Sequence, residues 1–83
     1  MPRSFSARRQ QAISARPDFA PAHNALGLTL EQQGDAELAL ESFREAVRLN
    51  PKYAEAYNNL GSVLKSLNRN GEAIVCFEQA LKL

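Results

Sequence analysis

The chain has 83 residues, a net charge of +1 and a hydrophobic fraction of 45%, which indicates one soluble domain small enough for its core to be marginal. Its apolar runs are only a few residues long, far short of the ~20 that a membrane-spanning helix needs, so no membrane partner is expected. The single cysteine, Cys76, excludes an intrachain disulfide and the paired-cysteine metal motifs, and suits a reducing, cytoplasmic setting.

Charge is uneven along the chain. Residues 1–16 hold Arg3, Arg8, Arg9 and Arg16 with no acid, a balance of +4, while the remainder sums to −3. A basic, acid-free N-terminus is one mark of a transit peptide. The same segment, residues 4–16, also reads as a lead helix with a weak apolar stripe of Phe5, Ala12 and Ile13, ended by Pro17. The second reading is preferred because Ala12, Ile13, Pro17 and Phe19 stand 34 residues before Ala46, Val47, Pro51 and Tyr53. That phase makes the segment the second helix of a partial repeat, with Arg9 departing from the pattern.

Pro21 suits the first turn of the next helix, where a missing N–H is harmless. This helix, 21–33, sets Leu26, Gly27 and Leu30 on one face at steps of three and four, and Gly34 stops it by taking the left-handed conformation. Asp35 is placed to cap the helix 36–49, whose Leu38, Ala39, Leu40, Phe43, Ala46, Val47 and Leu49 form a broad apolar stripe. Asn50-Pro51 ends it. Helices at 54–67 and 71–83 follow, joined by Asn68-Arg69-Asn70, with Asn68 standing where Gly34 stood.

The second pair of helices is a copy of the first. At an offset of 34 residues, Ala20/Ala54, Ala22/Ala56, Asn24/Asn58, Leu26/Leu60, Gly27/Gly61, Leu30/Leu64, Ala39/Ala73, Phe43/Phe77, Ala46/Ala80 and Leu49/Leu83 are identical without a gap. Self-similarity at a period of ~34 residues is the signature of a helical repeat array. Leu60-Gly61, Leu64, Ala73, Phe77 and Ala80, with Leu26-Gly27, Leu30, Ala39, Phe43, Ala46 and Pro51 before them, resemble the tetratricopeptide repeat pattern. His23 departs from it, where Tyr57 supplies the usual large residue. The resemblance implies an all-α fold, a right-handed solenoid of two hairpins plus one N-terminal helix: a lead helix at 4–16, repeat one at 20–53 and a truncated repeat two at 54–83. Small residues at Gly27, Ala39 and Ala46, and at Gly61, Ala73 and Ala80, are expected to let paired backbones approach, with Phe43 and Phe77 filling the space between hairpins.

An enzyme needs converging polar groups, and none converge in this pattern. His23 and Cys76 lie in different repeats and read as packing residues rather than as a nucleophilic pair. Glu37, Glu41 and Glu45 beside Arg44 and Arg48 read as a solvated face with supporting pairs such as Glu41–Arg44 or Glu45–Arg48. No catalytic residue, cofactor or metal is therefore expected. Nucleic acid is also not expected as a partner, because the repeats are net negative and phosphate binding needs clustered Lys and Arg.

What remains is a binding surface. Glu55, Asn58, Asn59, Ser62, Lys65 and Ser66 share the polar face of one helix, with Pro21, Asn24, Ala25, Leu28, Glu31 and Gln32 at the equivalent positions. In a solenoid such a face becomes concave. Carboxamides both donate and accept, so Asn24, Asn58 and Asn59, with Leu28, Glu31, Glu55, Ser62 and Lys65, are read as holding an extended peptide by its backbone. The resemblance sets limits on this. Of the lysine, arginine and asparagine clamp that some family members use for an acidic carboxylate terminus, only Asn59 is matched. The asparagine-lined groove of the O-linked N-acetylglucosamine transferase type is more similar, with Asn59 in place and Ala25 at the equivalent position.

The expected function is accordingly non-catalytic binding of a protein or peptide partner. Two other readings stand beside it: the repeat arm of a larger enzyme such as a protein glycosyltransferase, and a self-assembling solenoid fragment. The third rests on the last helix, where Val75 and Cys76 replace Glu41 and Ser42. With Ile74, Leu81 and Leu83 they make an apolar strip broad enough to suggest self-association through solenoid ends, preferentially about a two-fold axis.

Overall fold

A computed structural model describes residues 18–83, which form four helices: α1 (Ala20–Gln32), α2 (Ala36–Leu49), α3 (Ala54–Ser66) and α4 (Asn70–Lys82). The lead helix or transit segment expected at 4–16 lies outside the described residues. Helices α1 and α2 pair as one hairpin and α3 and α4 as a second, with α3 seated against α2 and touching α1. Each boundary falls within a residue of its expected place.

The turns inside the two hairpins are built alike. Gly34 has φ +85° and Asn68 φ +61°. At the end of α1, Gly34 N–H donates to Glu31 O at 3.1 Å and Asp35 N–H to Leu30 O at 2.9 Å; at the end of α3, Asn68 N–H donates to Lys65 O at 3.0 Å and Arg69 N–H to Leu64 O at 2.8 Å. This crossed pair of bonds satisfies carbonyls that a helix end otherwise leaves open. The junction between hairpins differs. Asn50 is extended, and its side-chain oxygen accepts from Lys52 N–H at 3.1 Å, so the chain turns on an asparagine-centred bond. Asp35 does stand immediately before α2, but its carboxylate makes no cap bond. The crossed turn already fixes that backbone, so the capping role expected of Asp35 is unused.

The core lies between the hairpins. Ala39, Leu40 and Phe43 of α2 meet Leu60, Val63 and Leu64 of α3, with Ala73 of α4 behind them. Phe43, Val63 and Leu64 are fully buried, and each such side chain contributes about 1.5–3 kcal/mol relative to exposure. The glycines serve a different purpose from the close helix approach expected of them. A Cβ on Gly27 would lie 2.5 Å from the Phe43 ring, and one on Gly61 would lie 2.7 Å from the Phe77 ring. Each glycine is the bed of its own hairpin's phenyl ring. Phe43 therefore fills its own hairpin as well as the joint, whereas Phe77 is only half-buried.

Two ion pairs brace exposed helix surface. Arg48 donates to Glu45, and Arg69 donates to Glu72; in both cases the guanidinium holds the carboxyl below its ordinary pKa. Of the pairs expected on α2, it is Glu45–Arg48 that forms. Exposed pairs of this kind are worth little, roughly 0–1 kcal/mol.

Candidate functional site

The shared face of α1 and α3 is organised by one polar junction. Asn24 sits on α1 among its small and apolar residues and is only 5% exposed. A buried carboxamide must be hydrogen-bonded or it destabilises the fold by ~1–3 kcal/mol. Its oxygen accepts from the Asn59 side-chain N–H at 3.0 Å. It also hydrogen-bonds the Tyr53 hydroxyl, which pulls the phenol pKa down, although burial and the nearby Glu55 push it up more strongly, so Tyr53 titrates above its ordinary value. Asn24 thus joins α1 to the start and the middle of α3.

Asn59 is the outward member of this junction. It is half-buried, and with one N–H committed to Asn24 it retains an acceptor oxygen and a second N–H. Around it, Glu55, Asn58, Ser62 and Lys65 are exposed on α3, while Leu28 is 36% exposed and Glu31 half-buried on α1. The Ser66 hydroxyl is directed inward, donating to Ser62 O at 3.2 Å. The eight residues read from the sequence therefore divide into Asn24, which is used inside the fold, and seven that reach the surface to differing degrees. Tyr53 was not singled out by sequence reasoning. The signal for it is spacing: Asn24 and Asn59 are 35 residues apart, one more than the repeat, and Tyr53 precedes α3 by one residue.

Other chemistry is sparse. Among the described residues no group of three His, Cys, Asp or Glu side chains could hold a metal ion, and no helix is long and apolar enough to cross a membrane. Burial pushes the Cys76 thiol above its ordinary pKa, which disfavours the nucleophilic thiolate. Ile74, Val75, Leu81 and Leu83 are all exposed on or just beyond α4, Leu81 at 87%.

Helical hairpins in a stacked register, with a polar face running across their first helices and no converging reactive groups among the described residues, define an α-solenoid interaction scaffold. The profile of the tetratricopeptide repeat family matches residues 18–83, and the chain belongs to that family. No curated protein matches it in sequence. Among solved structures it is similar to MamA, with a TM-score of 0.92 and 25% identity over 98% of this chain and 47% of the MamA chain. It is also similar to the second repeat domain of Spaghetti (RPAP3) bound to the HSP90 peptide SRMEEVD, with a TM-score of 0.93 and 21% identity over 99% of this chain and 76% of that one. The chain spans about half the length of MamA. At its level of identity, the RPAP3 likeness concerns the fold.

Proposed function

We propose that this chain is a non-catalytic interaction module that holds an extended peptide across the face shared by α1 and α3. The observation that carries the reading is the Asn59–Asn24 bond at 3.0 Å. It fixes the orientation of a carboxamide at the surface, so that Asn59 meets a peptide backbone with little further loss of side-chain freedom. Asn58, Ser62 and Lys65 extend the polar track, Glu55 and Glu31 lie toward its two ends, and Leu28 supplies apolar contact. Asn24 acts as a positioning residue for Asn59 and does not itself touch the ligand. The RPAP3 domain is recorded with a bound peptide, which supports the class of ligand but not its sequence. Lys65 is the one cation in the set, so the acidic carboxylate terminus of SRMEEVD is a poor match for this face. The site is small, and interfaces well below ~1,200 Å² are usually transient. The same groove serves equally if the chain is the presenting arm of a larger enzyme.

The test is a titration of isotope-labelled chain with unstructured peptides, read by backbone amide shifts. Changes centred on Leu28, Glu55, Asn59, Ser62 and Lys65 are expected, and Asn59→Ala should weaken binding several-fold. Shifts centred on Glu37, Glu41 and Arg44 instead would overturn the assignment.

A further inference from the structure

The joint between the two hairpins is a template for what fits the outer face of the second. Where α3 covers the first hairpin, Leu40 is 5% exposed and Phe43 is fully buried. At the same positions one repeat later, Ile74 is 57% exposed and Phe77 half-buried, with no described element against them. Nothing about these side chains is adapted to water. Ile74 is as apolar as Leu40, Cys76 replaces Ser42, and Leu81 replaces Val47. The polar part is copied as well: Asn58 is the counterpart of Asn24, but it is exposed where Asn24 is buried.

The occupant of the finished joint defines the chemistry required. Helix α3 brings the Tyr53 hydroxyl and the Asn59 amide to Asn24, and Leu60, Val63 and Leu64 to the apolar wall. We propose that the outer face of the α3/α4 hairpin docks an amphipathic helix of a partner protein, one carrying a tyrosine at its start, a side-chain amide six residues later, and large aliphatics at the next position and three and four beyond that. Asn58 is the polar contact that fixes its register, and Ile74, Phe77 and Leu81 are the apolar ones. A second copy of this chain is the poorer occupant. Its α1 offers Phe19 where Tyr53 stands and Ala25 where Asn59 stands, so neither hydroxyl nor amide reaches Asn58, and a buried carboxamide left without partners opposes association.

The experiment uses the 83-residue chain, isotope-labelled, and as probe a synthetic peptide of its own residues 52–69, held helical by a hydrocarbon staple across positions 55 and 62. Both positions are exposed in α3. Saturable shifts are expected at Asn58, Ile74, Cys76, Phe77 and Leu81. A probe with Asn59→Ala should bind about three- to tenfold more weakly, the loss of one neutral hydrogen bond, and a probe with Leu60→Glu should not bind. The Ile74→Glu chain, altered at an exposed site and checked for folding by circular dichroism, should lose the probe. No shifts at millimolar probe, or shifts confined to Ser62 and Lys65, overturn the proposal. If the same α4 residues shift on simple concentration of the chain without probe, a second copy is the occupant, and the commitment to a partner helix is wrong. Equal affinity for the Asn59→Ala probe removes the amide from the recognition code.

Discussion

Asn59 donates to Asn24 across 35 residues of sequence and 3.0 Å of space, and the acceptor is the more buried of the two. This asymmetry sets the order of mutational effects. Asn24→Ala strands both the Asn59 N–H and the Tyr53 hydroxyl and should destabilise the chain by about 1–3 kcal/mol. Asn59→Ala should cost less, since Asn24 keeps Tyr53. A double-mutant cycle in urea should return a coupling of about 0.5–1.5 kcal/mol. A coupling of zero would mean that the bond is not formed in solution.

The two glycine beds should differ in tolerance although they are identical in sequence. Gly27→Ala drives a methyl to 2.5 Å from Phe43, a ring enclosed on every side, and overpacking of this kind costs roughly 1–3 kcal/mol. Gly61→Ala meets Phe77, which is half-exposed and has room to swing outward, so its cost should fall at the low end. Gly61→Leu exceeds that room and should unfold the second hairpin. Thermal melts followed by circular dichroism check the order, and an unchanged melting temperature for Gly27→Ala would refute the ring-bed account.

Gly34 and Asn68 occupy the same backbone state with different residues. Any Cβ in the left-handed region is strained by about 1–2 kcal/mol, least for asparagine. Gly34→Ala should therefore destabilise by about that amount, although a Cβ there meets nothing within 4 Å. Asn68→Gly should be neutral or slightly stabilising. Chemical denaturation of both variants is the check, and equal effects of the same sign would contradict it.

Tyr53 gives the joint a pH dependence at the alkaline end. Its pKa is raised above 10.0 in the folded chain, chiefly by burial, so the unfolded chain releases this proton first. The contribution is complete below the unfolded value and is lost as pH rises through the folded one. Melting temperatures measured from pH 8 to 11 should fall more steeply for the wild type than for Tyr53→Phe. Parallel curves would show that the hydroxyl carries no linkage.

Most of the fold was legible because each hairpin obeys local rules. The repeat register, Pro21, Gly34 and Asn68 mark helix ends by steric restriction alone, and Ala39, Phe43 and Leu64 fall on an apolar stripe. What escaped was contact between elements. Val63 lies beside the Leu60/Leu64 stripe in a helical projection, yet it is fully buried because α3 is covered on two sides, by α2 and by α4. Asn24 looks like a surface amide until α3 is laid against it. A one-dimensional pattern shows which side of a helix is apolar, but it does not report how far a neighbour wraps around the edge. The groove's outline was thus readable, and the division of labour between Asn24 and Asn59 was not.

The core is lopsided: Ala39, Leu40, Phe43, Leu60, Val63 and Leu64 surround the middle of the chain, while α4 buries only Ala73. Cooperativity in such a linear stack is passed from neighbour to neighbour, so the strength of attachment declines from α2 and α3 toward α4. Amide hydrogens should exchange along that gradient, those of α4 through local fraying and those of α2 and α3 only when the whole structure opens. Whatever grips the outer face of α4 would reset the weak end to the strong, turning a contact at one edge into protection of the last helix.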